Sequence, residues 1–133
     1  MAKEAPTVSV AIDDSGGSAR TISNDITGLS WSIPRAVQDV TGVDKAAIER
    51  LLLLADMSGT YDGVFNDASN MSHDVFKTVG SASVARTVTL PTSGQTLASE
   101  QFLTDYPLTR ASSGELTFSV PGVLQNGTAP TWA

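Results

Sequence analysis

At 133 residues without a cysteine, the chain is long enough for one domain with its own core, and it can form neither disulfides nor thiolate metal sites. A net charge of −6, with only eight Lys and Arg, excludes the basic surface that a nucleic-acid binder needs. Charged residues make up 17%, and 16 serines and 15 threonines take their place, the composition of an all-β chain.

The opening Met1–Pro6 has no apolar core of a secretory signal, so a chain made in the cytosol is expected. Thr7 to Asp13 sets Val8, Val10 and Ile12 against Ser9 and Ala11, a first strand. Asp13-Asp14-Ser15-Gly16-Gly17-Ser18 supplies a turn, and Ala19 to Ser23 returns as a hairpin partner. Thr27 to Ile33 places Leu29, Trp31 and Ile33 on one face, and Pro34 ends it.

Arg35 to Arg50 differs in kind. Arg35, Asp39, Asp44, Lys45, Glu49 and Arg50 surround Thr41-Gly42. Asp44 to Leu52 suits either about two helical turns or an extended arm. Long irregular connections are usually functional, so the segment is expected to be an interaction arm.

Leu53 to Phe65 then reads as one long strand. Leu53, Ala55, Met57, Gly59, Tyr61, Gly63 and Phe65 form the apolar face, and Asp56, Ser58, Thr60 and Asp62 lie opposite. The longest apolar run in the chain is Leu51 to Ala55, far short of the roughly 20 residues that a spanning helix needs, so no membrane role is expected.

Asn70 is placed to cap a helix over Met71–Val79, with Met71, Val75, Phe76 and Val79 as its apolar stripe and Gly80 as its stop. Val84 to Leu90 is a strand stopped at Pro91, on which Arg86 need not be buried. Thr92-Ser93-Gly94-Gln95 is a turn, and Leu97 to Tyr106 a less regular strand. Ser112-Ser113-Gly114 leads into a strand over Glu115–Val120, and a Gly/Pro-rich tail closes at Trp132. These elements define a mainly β chain, a single domain over 1–133 with one short α-helix at about 70–79 and a long arm at about 35–50.

Catalytic and metal motifs are missing. His73 is the sole imidazole, and its neighbours Ser72 and Asp74 point elsewhere on a helix, so no relay forms. Asp13-Asp14 lacks the spacing and closing Glu of a calcium loop and suits a turn. Gly16-Gly17 lacks the Lys of a phosphate loop. The expectation is a protein without enzyme activity, cofactor or metal.

Trp31-Ser-Ile-Pro-Arg35, Gln38-Asp-Val-Thr-Gly42, Asp44-Lys-Ala-Ala-Ile-Glu-Arg-Leu51, Asp56-Met-Ser-Gly59, Gly63-Val-Phe-Asn-Asp67 and Ser72-His-Asp-Val-Phe76 resemble the tail tube (major tail) proteins of long-tailed bacteriophages. Arg86-Thr-Val-Thr-Leu-Pro91, Glu100-Gln-Phe-Leu103 and Gly114-Glu-Leu-Thr-Phe118 follow the same order. The resemblance implies an antiparallel β-sandwich or barrel with one helix, six subunits to a ring, rings stacked into a hollow tube, and strands of adjacent subunits joined into an inner β-barrel. DNA passes through that barrel without specific binding, after the tape-measure protein, and tip and terminator proteins close the ends. It implies a place in the virion tail.

On this reading Asp56, Ser58, Thr60 and Asp62 face either the lumen or the tube exterior, and Arg35 to Arg50 joins one ring to the next. Another virion part of similar fold, such as a head–tail joining or capsid decoration protein, and a soluble β-sandwich ligand-binding module are the competing readings.

Overall fold

The computed structural model describes residues 7–133; Met1–Pro6, on which the signal-sequence expectation falls, lie outside the described residues. Among the described residues ten strands form: β1 (Ala11–Asp13), β2 (Ala19–Thr21), β3 (Ile26–Ser32), β4 (Arg35–Asp39), β5 (Arg50–Ala55), β6 (Ser58–Val64), β7 (Arg86–Thr92), β8 (Gln95–Leu103), β9 (Leu108–Arg110) and β10 (Leu116–Leu124). One helix, α1 (Ser72–Phe76), follows β6. The main sheet runs β2-β1-β7-β8-β10-β6-β3 with β9 on β10, and β4–β5 is a separate two-stranded sheet. Every pairing is antiparallel.

Turn chemistry sets the hairpins. Asp14 Oδ1 accepts the N–H groups of Gly16 and Ser18, both at 3.0 Å, and Gly17 takes φ +84° between β1 and β2. Ser93 (φ +48°) and Gly94 (φ +84°) make the two-residue left-handed turn that matches strand twist between β7 and β8. β7 runs through Pro91 to Thr92 rather than stopping at it. Pro91 directs its carbonyl to the Ser9 N–H (3.1 Å), so its missing donor faces a side where pairing has thinned to one bridge, Val8 to Thr92.

The sheet wraps one core. Ile12, Val88, Leu90, Leu97, Tyr61 and Val120 are buried on its inner face. Helix α1 adds Val75 and Phe76, both fully buried, while Met71 and Val79 are half-buried. The Phe76 ring meets Phe118 edge-on at 5.2 Å and Tyr106 at 5.5 Å. His73 is half-buried, its ring tilted 45° against Phe65 with 4.6 Å between centroids.

Several expectations are corrected. The long strand breaks at Asp56-Met57: the Asp56 N–H donates to Pro34 O (3.0 Å) and its Oδ1 accepts the Met57 N–H (2.8 Å). The period of two runs across this joint, so it did not mark the break. The helix is shorter than 71–79, and Asn70 does not cap it. Asn70 sits at φ +64°, and buried Asp25 caps instead, accepting the Ser72 N–H at 3.0 Å and Asn66 Nδ2 at 2.9 Å.

Arg86 is buried, 1% exposed, because three oxygens from two segments, the first hairpin and the end of α1, surround its guanidinium. It donates to Val75 O (2.6 Å), Asp13 O (3.0 Å) and Thr78 Oγ1 (2.9 Å), tying α1 to the first hairpin. Burial lowers its pKa, opposed by the charges of Asp14 and Asp13. Finally, β10 continues through Pro121 into the supposed tail, β9 had no sequence signal, and Trp132 returns to pair with Leu97 and pack on Trp31.

Candidate functional site

Two surfaces stand out, a polar sheet face built around β6 and an apolar arm formed by β4 and β5. Met57, Gly59, Tyr61 and Gly63 turn inward and are buried. Gly63 is required by close approach, since a Cβ there would lie 2.2 Å from Asp25 O and 2.7 Å from Phe118 Cζ. Beneath the strand, Tyr61 donates to Gln101 Oε1 (2.9 Å) and Gln101 Nε2 donates to Ser99 Oγ (2.9 Å), a buried chain of satisfied polar groups. Burial pushes the Tyr61 phenol up to about 12.

Ser58, Thr60 and Asp62 therefore point away from the core, on one face as expected. Register extends that face across four strands in rows: Ser32–Ser58–Val123–Phe102, Ser30–Thr60–Pro121, and Gly28–Asp62–Ser119. The rows carry five hydroxyls and one acid, with Val123, Phe102 and Pro121 toward β8 and β10, and no Lys or Arg. Asp56 belongs to the joint rather than to the strand; it is exposed there, with one carboxylate oxygen folded back on its own backbone. One edge of this face is β3, which pairs only with β6 among the described residues.

The segment from Arg35 is extended, not helical. β4 and β5 form a hairpin in which Val37 opposes Leu52, Gln38 opposes Leu51 and Asp39 opposes Arg50. Asp39 Oδ1 accepts both the Thr41 N–H (3.0 Å) and hydroxyl (2.6 Å), which holds its carboxyl below the usual range. The Thr41 hydroxyl also accepts the Glu49 N–H at 2.8 Å, bracing the tip. Arg35 donates from Nε to Leu53 O (2.7 Å), and Asp44 and Lys45 pair at 3.8 Å. All six charged residues of the arm are exposed, and so is every residue of β4 and β5 except half-buried Ala55. Sequence reading missed the buried Asp25 and Gln101 that brace the site, since their partners, Asn66 and Ser72 for Asp25 and Tyr61 for Gln101, lie about forty residues away in the chain.

No chemistry-bearing constellation accompanies these surfaces. Among the described residues, no three His, Asp or Glu are placed to hold a metal ion. His73 Nδ1 lies 3.3 Å from the Tyr106 hydroxyl, while the Asp74 carboxylate is engaged by the Asn70 N–H and Lys77.

The architecture is thus a wrapped antiparallel sheet carrying one short helix and a projecting hairpin. No family model and no curated protein matches the chain. Solved structures share its fold. One is a chain from the tail of an empty gene transfer agent particle, obtained by helical refinement with C6 symmetry: TM-score 0.79, 16% identity, 99% of each chain covered. Another is a chain from the virion of a native gene transfer agent particle, with TM-score 0.78, 15% identity and 99% of each chain covered. The chain has the fold of these two gene transfer agent particle chains.

Proposed function

We propose that this chain is a structural subunit of a virion tail, assembling into six-membered rings that stack into a hollow tube for DNA. The likeness over the whole chain to a component of a C6-symmetric tail carries the reading. Two local features agree with it. The unpaired side of β3 offers an edge to a neighbouring copy, and joining edges around a ring removes the hazard of exposed backbone donors and acceptors. The exposed hairpin supplies a contact along the axis, with Arg35, Asp39, Asp44, Lys45, Glu49 and Arg50 setting register through charge complementarity.

The polar face of Ser58, Thr60 and Asp62, with Asp56 at its end, lines the lumen. Phosphates are repelled by carboxylates and find no basic groups to bind, so DNA passes without being held. The tube holds a tape-measure protein before DNA and ends on tip and terminator proteins. The subunit performs no catalysis. Concentrating the purified chain and imaging it in negative stain tests the reading. Rings or tubes are expected; a chain that stays monomeric at every concentration and salt contradicts it.

A further inference from the structure

We propose that Asn126 is a modification site, where the side-chain amide is lost through a cyclic imide closed by the Gly127 nitrogen, leaving aspartate and isoaspartate. The inference is independent of the tube reading.

The reaction needs a backbone nitrogen free to attack the carbonyl carbon of the preceding side-chain amide. The chain has four asparagines, and their surroundings separate them. After Asn24 the attacking nitrogen belongs to Asp25, whose N–H already donates to Ile22 O (3.0 Å). After Asn70 it belongs to Met71, whose N–H donates to Ala68 O (3.1 Å). The amide nitrogen of Asn66 is held by the buried Asp25 carboxylate at 2.9 Å, so its leaving group is tied down. Asn126 carries none of these restraints. Residues 125–129 are exposed, and no hydrogen bond among the described residues engages the Gly127 N–H. Gly127 sits at φ +72° with open space where a Cβ would lie, so no side chain crowds its nitrogen.

A hydrogen bond adds chemistry to this access. Asn126 Oδ1 accepts the Thr128 N–H at 3.1 Å, which folds the side chain along the backbone and closes a ring containing both Asn126 Cγ and the Gly127 nitrogen. Attack on Cγ places negative charge on Oδ1, where that donor already points. The Gly127 nitrogen gives its proton to hydroxide and bonds to Cγ; the Cγ–Nδ2 bond breaks, and ammonia leaves with a proton from water. Water then opens the imide. Addition at Cγ breaks the Cγ–N bond and gives aspartate; addition at the backbone carbonyl breaks the C–N bond there and gives isoaspartate. The aspartate keeps the Thr128 bond in charge-assisted form, whereas isoaspartate routes the backbone through Cγ and loses it. The new charge arises on the loop that leads from β10 to Trp132, the residue that pairs with Leu97 and packs on Trp31.

Asp62-Gly63 is an internal control. It reaches the same imide by losing water, but Gly63 is buried in β6, which is paired on both sides, so the fold withholds this nitrogen.

The test incubates the purified chain in heavy-oxygen water at mildly alkaline pH, folded and in urea, and maps peptides by mass spectrometry. In the folded chain, heavy oxygen should enter at Asn126 before any other asparagine, at a rate no lower than in urea. Asp62 should form isoaspartate only in urea. Isoelectric focusing should show a product one charge more negative than the −6 chain. Asn126→Gln, which closes its imide ring far more slowly, should lose that product. A folded rate at Asn126 below the rate in urea, or another asparagine reacting first, overturns the proposal. So does an acidic product that persists in Asn126→Gln.

Discussion

At the scale of residues, the core around α1 is the place where one side chain decides stability. Phe76 is fully buried among Phe118 and Tyr106, so Phe76→Ala should cost about 3–5 kcal/mol in urea unfolding. Retained stability would mean that the helix does not close the core. Gly63→Ala should also destabilise, because its Cβ meets backbone that has no room to yield. Tyr61 predicts an alkaline dependence. Burial raises its pKa from 10.0 to about 12, so the folded state favours the neutral phenol. The contribution is complete below pH 10 and is lost as pH rises from 10 to 12. Tyr61→Phe should flatten the fall of Tm in that window; an unchanged profile would place the effect elsewhere. Stripe residues such as Phe76 were legible from spacing alone. Arg86 and Asp25 were not, because their partners come from segments distant in sequence, and a charge without visible partners reads as surface.

At the scale of elements, alternation identified the buried face of β6 but not its boundary. Ala55 and Met57 keep the same parity across the joint, while the Asp56 turn depends on Pro34 O, a group more than twenty residues earlier. Leu53 and Leu54 looked like the start of a half-buried strand and proved to belong to an exposed hairpin arm. The charges of the arm were legible; its apolar faces were masked by the assumption that leucines go inside. Exposed ion pairs contribute only about 0–1 kcal/mol each. Reversing Arg35 and Arg50 together to Glu should nevertheless stop tube growth, because the loss is repeated around each ring. The variant should remain folded and soluble, since both side chains are exposed. Long tubes from this variant, seen in negative stain at low salt, would remove the arm from the ring-to-ring contact.

At the scale of the whole molecule, the fold class was readable from composition and turn chemistry, whereas strand order was not. Period and turns say which residues pair locally; the adjacency of β10 to both β6 and β8 is a long-range choice made by the core. The polar face likewise became a surface only when register joined Ser30 and Ser119 to Thr60 and Asp62. If it lines a lumen, replacing Asp56 and Asp62 by Lys should leave assembly intact and make tubes retain DNA, with retention falling as salt rises. Double-variant tubes that bind no more DNA than wild type would put this face outside. The central claim is tested most directly by end-on electron-microscope averages of particles assembled from the purified chain. The account predicts six-fold rotational symmetry around an open centre, with six chain masses per axial repeat. Particles of another symmetry, or a filled centre, would contradict it.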